Sequence, residues 1–236
     1  MRTVAGVLEA ALSRLFSEAV KIAGAGRTDS GVHATGQVVS LSTAADDFPF
    51  DRLGVAMRSL LPPDCSVRQA EIVEAGFSAR FSARERTYVY TILNRAEPSA
   101  LLARYAYHVA RPLDLEALRA GAAPLVGEHD FRSFAAASPE TVTARTVRRL
   151  EIDRRGELIR IEIAADAFLH HMVRTVVGTL VECGAARRDP GEMPAIVAAQ
   201  NRSAAGSTAP PHGLYLAGVR YADGYDSFAE PPILRA

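Results

Sequence analysis

The chain has 236 residues, of which 48% are hydrophobic and 23% charged, proportions that are ordinary for a soluble globular protein. Its 27 basic and 27 acidic residues cancel, which argues against a broadly basic RNA-binding protein but permits a local basic surface. Two cysteines, Cys65 and Cys183, fit no disulfide framework, and no apolar run reaches the length of a membrane span. We therefore expect a cytoplasmic protein of one large or two small domains.

The first third of the chain alternates helical and strand patterns. Apolar residues at i, i+3 and i+4 predict an amphipathic helix over residues 3–16. Short apolar runs predict strands at residues 19–23 and 37–41, a helix at 50–61 that ends before two prolines, and a strand at 66–74. This order of elements predicts an α/β unit.

The remainder of the chain repeats this style over longer segments. Asp114 is the predicted N-cap of a helix. Strands are predicted at residues 87–93, 105–110, 147–153, 158–165 and 216–221, and helices at 114–123, 168–183 and 193–200. We expect an α/β (α+β) protein of two halves, with a boundary near residues 76–84 that divides the chain into residues 1–80 and 81–236.

The most informative segment is a glycine-rich loop at residues 24–34, which lies between two predicted strands. It contains Arg27, Asp29 and His33. Glycines permit positive φ and the close approach of another molecule, and such loops carry function more often than stability. An arginine two residues from Asp29 would favour the ionised carboxylate. The alternative interpretation is an ordinary Asp-Ser-Gly turn with a surface ion pair.

The order of the loop residues decides between these interpretations. Residues 26–34, Gly-Arg-Thr-Asp-Ser-Gly-Val-His-Ala, resemble the active-site motif of the tRNA pseudouridine synthase A family. Further blocks resemble motifs of that family in the same order, at residues 77–83 with 86–90, 127–134, 168–178 and 213–216. The resemblance extends from about Thr3 to about Tyr225.

The resemblance implies a fold and a reaction. The implied pseudouridine synthase fold has two α/β halves with mainly antiparallel sheets that meet around a central RNA-binding cleft, assembled as a homodimer. The implied activity is an isomerase that converts uridine to pseudouridine at positions 38, 39 and 40 in the tRNA anticodon stem-loop. The first half would carry the catalytic aspartate loop. Because the product is an isomer of the substrate, we expect no cofactor.

The resemblance also assigns catalytic residues. Asp29 is expected to promote the reaction by covalent attack at ribose C1′ or by assisting elimination, and the sequence leaves both routes open. Arg174 is expected to pair with Asp29 and to keep its carboxylate ionised and oriented. Without the resemblance, Arg174 would be interpreted as a surface arginine at the edge of an apolar helix.

Other residues are expected to bind the substrate. By resemblance, Tyr88 in the second half contacts or stacks on the target base, and the alternative is a core tyrosine. Arg27 and His33 would shape the loop or contact RNA, and Leu216 would line the base pocket. Among the arginine clusters, Arg80, Arg84 and Arg86 together form the best candidate for RNA contact, because they lie beside the motifs.

Two competing hypotheses remain at the level of sequence. His170 and His171, with Asp29 and His33, suggest a metal hydrolase. Adjacent residues on the predicted helix 168–183 would point about 100° apart, so the two histidines would not easily share one ion, and we expect no metal site. Alternatively, the family's first strand is expected to be missing before residue 1, which would leave a catalytically impaired RNA-binding protein of the same fold.

Overall fold

The computed structural model describes residues 2–136, 142–222 and 224–234. Within these ranges the α-helices are α1 (Val4–Phe16), α2 (Leu53–Met57), α3 (Leu115–Ala122), α4 (Met172–Gly184) and α5 (Met193–Ala199). The β-strands are β1 (Ile22–Gly24), β2 (His33–Ala34), β3 (Val39–Leu41), β4 (Ala83–Asn94), β5 (Tyr107–Val109), β6 (Gly127–Asp130), β7 (Ala144–Arg155), β8 (Leu158–Ala165), β9 (Leu214–Tyr221) and β10 (Ser227–Phe228). None of the helices in these ranges is long and apolar enough to cross a membrane.

The chain divides into two compact units near Ala83. The first comprises Met1–Arg27 and Val38–Ala83, and the second comprises Thr28–Gln37 and Arg84–Ala236. The division lies within the predicted boundary region 76–84. The loop residues 28–37 belong to the second unit, however, whereas the sequence analysis assigned them to the first half.

The first unit is built on α1 and a short antiparallel pair, β1 with β3. Thr3 begins α1 as predicted, because its Oγ1 accepts a hydrogen bond from the Gly6 N–H at 3.1 Å. The apolar stripe of α1, including Leu8 and Leu12, packs into a core with Met57 of α2. Burial of this stripe is the interaction that fixes the helix in place.

Two predicted elements of the first unit differ from the structure. Residues 66–74 form no strand; Val67 packs instead against the core, and its carbonyl oxygen would lie 2.9 Å from a Cβ on Gly54. The predicted helix 50–61 is a 3-10 turn at Phe50–Arg52 followed by the short α2. In both places tertiary packing overrides the local pattern of apolar residues.

The second unit is built on a mixed sheet of eight described strands. The main order is β10-β9-β4-β8-β7-β6, with β2 beside β9 and β5 beside β4. The β2–β9 and β4–β5 pairs are parallel, whereas β4–β8 and the β7–β8 hairpin are antiparallel. Residues from Thr87 to Leu93 on β4 are all buried, so this strand lies in the interior of the unit. The mixture of helices and mainly antiparallel strands confirms the predicted α+β class.

Strand pairing explains why residues 28–37, which include most of the glycine-rich loop, belong to the second unit. On β2, His33 and Ala34 lie in register with Tyr215 and Leu216 of β9. The N–H groups of the next two residues both donate to the Leu216 carbonyl oxygen at 3.0 Å. Gly36 lies so close to β9 that an added Cβ would lie 2.1 Å from the Ala217 carbonyl oxygen. These contacts hold the end of the loop on the sheet.

Candidate active site

Asp29 and Arg174 are brought together within the second unit. Arg174 Nη1 donates a hydrogen bond to Asp29 Oδ2 at 2.8 Å, and the two residues lie 145 positions apart in the chain. The Arg174 side chain is 13% exposed and the Asp29 side chain 26% exposed, so the ion pair is partly shielded from water. A charge-assisted hydrogen bond in such a place is stronger and more directional than a surface ion pair.

Arg174 is held in this orientation by a second contact. Its Nε donates to the carbonyl oxygen of Ala209 at 2.8 Å, and the Ala209 N–H donates back to the Arg174 carbonyl oxygen at 3.0 Å. The guanidinium therefore uses two of its donors at fixed angles, a geometry that a lysine ammonium cannot reproduce. Because Arg174 lies in the first turn of α4, this helix positions the partner of Asp29.

A tight turn sets the backbone of Asp29. The Val32 N–H donates to the Asp29 carbonyl oxygen at 3.0 Å. Gly31 has φ +84°, and a Cβ at this position would lie 3.0 Å from Cγ of Pro211. Both the positive φ and the close approach to Pro211 favour glycine, as the loop composition predicted.

Two histidines contact the same carboxylate. His170 Nε2 lies 3.4 Å from Asp29 Oδ1, and His171 Nε2 lies 3.3 Å from Asp29 Oδ2. The two imidazole rings are 3.9 Å apart between centroids. The sequence analysis wrongly placed both residues on a helix and concluded that they would point apart.

The error has a local structural cause. The helix α4 begins only at Met172, and His171 takes a left-handed conformation with φ 63° immediately before it. The His170 carbonyl oxygen accepts a hydrogen bond from the Ala136 N–H at 3.0 Å, outside any helical ladder. Because neither residue has helical geometry, the angular spacing of a helix does not apply to their side chains.

Tyr88 is buried on β4, beside the segment that leads into α4. The residue is 8% exposed, and its ring meets the ring of Phe168 edge-to-face at 5.1 Å. Burial, and to a smaller extent the negative charge of Asp29, raises the pKa of Tyr88 to about 12. Its hydroxyl is therefore protonated at neutral pH, which makes it a hydrogen-bond donor rather than a base.

Burial also changes the protonation of one of the two histidines. Loss of hydration lowers the pKa of His171, and the nearby Asp29 carboxylate opposes this effect without cancelling it. His171 is therefore uncharged at neutral pH.

Comparison with known proteins identifies the family. The sequence model of a family described as tRNA pseudouridine synthase matches residues 1–82 and 122–222, more than half of the chain. The chain belongs to the tRNA pseudouridine synthase family.

Curated relatives agree over nearly the whole chain. The chain is similar to tRNA pseudouridine synthase A of Moorella thermoacetica, with 46% identity over 93% of this chain and 89% of the relative. The proteins of the same name from Halalkalibacterium halodurans and Caldicellulosiruptor bescii are 43% and 39% identical, over 90% and 93% of this chain and 81% and 90% of their own lengths. The family resemblance is thereby confirmed, and with it the expected reaction class, isomerisation of uridine to pseudouridine in tRNA.

The other predicted binding residues differ in how far they are exposed to solvent. Arg27 is exposed and is the last residue of the first segment of the first unit. His33 stacks on Tyr215, with 4.9 Å between ring centroids, and its Nε2 lies 2.8 Å from the Arg104 carbonyl oxygen. Leu216 is fully buried in β9. His33 is therefore part of the packing around the loop, and Leu216 is part of the sheet interior.

Several arginine clusters are paired with acidic residues within the second unit. Arg149 Nη2 lies 2.6 Å from Glu162 Oε1, and Arg148 Nη1 lies 3.7 Å from Glu85 Oε2. Arg188 pairs with both Glu182 and Glu192. These arginines stabilise the fold and offer less positive charge to RNA than their number suggests. Arg84, from the cluster favoured by the sequence, is exposed.

The sequence analysis used the two histidines only to weigh a metal site and missed their contact with Asp29. The signal in the sequence was closeness along the chain, because His170 and His171 precede Arg174 by only four and three residues. No helical spacing rule applies to them, since both lie before α4 begins at Met172.

Proposed function

We propose that this chain isomerises uridine to pseudouridine at positions 38, 39 and 40 of the tRNA anticodon stem-loop, with Asp29 as the catalytic carboxylate. The observation that carries the proposal is the 2.8 Å hydrogen bond from Arg174 to Asp29. The family resemblance implies the same pair. A carboxylate that is held in a partly exposed position by an arginine 145 residues away is a candidate for a functional group rather than an incidental surface contact.

The reaction requires one bond to break and another to form at the same ribose carbon. The bond from C1′ to N1 of the uracil breaks, the base turns, and a bond from C1′ to C5 forms. C5 then loses its proton, and N1, which no longer bonds to C1′, gains one. Because substrate and product have the same composition, the chemistry consumes no oxidant, reductant or nucleotide.

An ionised carboxylate serves both routes through this reaction. Asp29 either attacks C1′ to form a covalent sugar adduct or accepts a proton from the sugar during elimination. In both routes an oxygen of Asp29 must reach the ribose while its negative charge is maintained. Arg174 holds the carboxylate through Oδ2, while Oδ1 lies 3.4 Å from His170 Nε2, so a ribose would approach the carboxylate beside these two contacts.

Tyr88 is proposed to contact the target base after the base has left the helical stack. A base within a stem must be extruded before an enzyme can act at its glycosidic bond. Because Tyr88 is largely buried against Phe168, a base would meet the edge or hydroxyl of the ring rather than its whole face. Its neutral hydroxyl can donate a hydrogen bond to a base carbonyl oxygen, consistent with its raised pKa.

Arg27, His33 and Leu216 are proposed to support substrate binding without taking part in the chemistry. Arg27 is exposed and suited to a phosphate contact. The stacking of His33 on Tyr215 supports a role in shaping the loop, while a direct RNA contact by His33 stays a prediction. Leu216 is proposed to support the base pocket from within β9, since the residue itself is fully buried.

Assembly and location follow from the same proposal. We propose a homodimer, as the family resemblance implies, and a cytoplasmic location, where a tRNA-modifying enzyme meets its substrate. Light scattering coupled to size-exclusion chromatography gives the assembly directly. A mass equal to twice that of the 25.3 kDa chain supports the dimer, and a mass of one chain contradicts it.

The experiment that tests the function uses unmodified tRNA transcripts. The wild-type protein is incubated with a transcript that carries uridines at positions 38, 39 and 40, and pseudouridine is mapped by a chemical probe at base resolution. Transcripts with cytidine at each position in turn serve as matched substrates. Pseudouridine at these positions and at no other supports the proposal, whereas modification elsewhere or none contradicts the assigned positions.

A further inference from the structure

The side chains of Asp29, His170 and His171 form the arrangement of a transition-metal site. One ligand atom from each residue can be chosen so that all three lie within 4.8 Å of one another. Two imidazole nitrogens and a carboxylate oxygen are the donor set of many protein zinc sites.

Two distances within the group are close to those between the ligands of a zinc ion. With bonds of about 2.0–2.1 Å, a tetrahedral zinc separates its ligand atoms by roughly 3.4 Å. His170 Nε2 lies 3.4 Å from Asp29 Oδ1, and His171 Nε2 lies 3.3 Å from Asp29 Oδ2. Because the two nitrogens face different oxygens of the carboxylate, the side chains must move to bring both nitrogens and one oxygen onto a common ion.

The backbone holds both histidines in place without a metal. Leu169 and Met172 on either side of the pair are buried, which anchors the short segment that carries them. The His170 carbonyl oxygen accepts from the Ala136 N–H at 3.0 Å, and the His171 carbonyl oxygen accepts from the Thr175 N–H at 2.9 Å. An ion that binds here pays little to order its ligands, which favours binding.

Arg174 makes this a site for a reversible ligand rather than for a permanent cofactor. Its guanidinium lies 2.8 Å from Asp29 Oδ2 and repels a second cation. The same carboxylate is the proposed catalytic group. An ion bound to it would occupy the oxygen lone pairs with which Asp29 acts on the ribose. Occupation of the site would therefore stop the reaction rather than support it.

We propose that a borderline-soft divalent ion, Zn²⁺ in particular, binds reversibly to Asp29, His170 and His171 and thereby inhibits the enzyme. The inhibitory part rests on the proposed role of Asp29, whereas the binding part does not. Mg²⁺ is not a competitor, because it prefers octahedral oxygen ligands and retains its waters. Metal occupation and substrate attack are mutually exclusive at Asp29.

Metal binding is tested first without RNA. Co²⁺ is titrated into the whole wild-type protein and its visible absorption is recorded, and Zn²⁺ affinity is measured by calorimetry. We expect one ion per chain, and we expect His170→Gln and His171→Asn each to weaken binding by at least about tenfold. Asparagine is chosen at position 171 because it tolerates the left-handed conformation. His129→Gln, on β6 and outside the cluster, is the matched control and should bind as the wild type does.

Inhibition is then measured at buffered free Zn²⁺ with excess Mg²⁺ to keep the tRNA folded. At tRNA concentrations well below KM, the half-inhibiting concentration should equal the measured dissociation constant. A chelator should restore the rate, and His170→Gln should resist zinc relative to its own metal-free rate. Absence of saturable binding, or an affinity equal to that of the wild type in both cluster variants, overturns the site. Binding without inhibition overturns the regulatory claim, and full activity of Asp29→Asn contradicts the proposed function while leaving the absorption test of the site intact.

Discussion

Asp29 Oδ2 and Arg174 Nη1 are joined by a 2.8 Å hydrogen bond that spans 145 residues of chain. The contact connects the turn before β2 to the first turn of α4, and the Arg174 side chain is itself fixed by the Ala209 carbonyl oxygen. The turn that carries Asp29 is therefore oriented by a helix that follows it much later in the sequence. The geometry of this pair determines what each substitution should do.

Arg174→Lys should lower kcat more than it weakens tRNA binding. Lysine keeps the charge but cannot contact Asp29 and the Ala209 carbonyl oxygen together, so the carboxylate loses its fixed orientation. A misplacement of a catalytic group by about 1 Å costs roughly 100-fold in rate. Arg174→Met should also lower the free energy of unfolding by about 1–3 kcal/mol, because it leaves polar partners unsatisfied.

The control for Arg174 is Arg188→Lys. Arg188 also pairs with carboxylates, those of Glu182 and Glu192, but it has no contact with Asp29. Single-turnover kinetics and urea unfolding should show a near wild-type rate for this variant. A rate for Arg174→Lys equal to that of Arg188→Lys would show that the orientation of Asp29 by Arg174 has no catalytic value.

Gly31→Ala should impair both stability and activity. Its φ of +84° disfavours any side chain, and the new Cβ would press against Pro211 at 3.0 Å. The backbone strain alone is worth about 1–2 kcal/mol. Movement of the turn to relieve the contact would displace Asp29, so kcat should fall as well.

Gly156→Ala is the control that separates a loss of stability caused by positive φ from a displacement of Asp29. Gly156 has φ +60° at the tip of the β7–β8 hairpin, with nothing within 4 Å of an added Cβ. This variant should lose a similar amount of stability, measured by urea unfolding, and should keep its pseudouridine-forming rate. Equal rate losses in the two variants would mean that reduced stability, rather than displaced Asp29, accounts for the effect at Gly31.

Tyr88 requires two substitutions to separate packing from chemistry. Tyr88→Ala removes a buried ring that contacts Phe168, so the free energy of unfolding should fall by about 3–5 kcal/mol. Tyr88→Phe keeps that packing and removes only the hydroxyl. We expect Tyr88→Phe to lower turnover while tRNA affinity, which rests mainly on phosphate contacts, changes little. Filter binding and single-turnover rates measure both quantities, and an unchanged rate would make Tyr88 a core residue only.

Local patterns predicted much of the fold because local interactions determine it. The stripe of α1, the Asp114 cap of α3 and the β7–β8 hairpin each depend on residues close together in sequence, and each was predicted. The strand predicted at residues 66–74 did not form: Val67 and Ala70 pack against the core of the first unit, Ile72 is exposed, and the segment pairs with no strand. An alternating pattern reports burial, and it cannot report whether a hydrogen-bonding partner is present.

The contact between Asp29 and Arg174 was predicted, but the geometry around it was not. Asp29, Arg174 and Tyr88 came from a family motif, and their proximity required the resemblance rather than any spacing rule. The histidine contacts were missed because one residue, His171, leaves helical geometry at φ 63°. The placement of the loop in the second unit was also missed, because the β2–β9 pairing joins segments that are far apart in the chain.

Stability should fall as the solution is acidified below about pH 6.5, partly through His212. Burial lowers the pKa of His212 below its ordinary value of 6.5, and a hydrogen bond with the Ala106 backbone opposes this only in part. Below pH 6.5, His212 therefore binds a proton more readily in the unfolded chain than in the folded chain. As a result, the free energy of unfolding falls by up to about 1.4 kcal/mol for each pH unit.

The comparison of wild type with His212→Gln isolates this contribution. Urea unfolding at about pH 7.5 and about pH 5.5 should give a smaller difference in unfolding free energy for the variant than for the wild type. His129→Gln serves as the control, since this histidine contacts the Val126 carbonyl oxygen in a half-buried position. An identical pH dependence in wild type and His212→Gln would contradict the assigned burial effect.

The most direct test of the central claim is pseudouridine formation by Asp29→Asn. The substitution is nearly isosteric and removes the negative charge that Arg174 holds in place. We expect no detectable pseudouridine at positions 38, 39 and 40 of an unmodified tRNA, with tRNA affinity and melting temperature close to those of the wild type. Product formation by Asp29→Asn at a rate near that of the wild type would contradict the claim that Asp29 is the catalytic carboxylate.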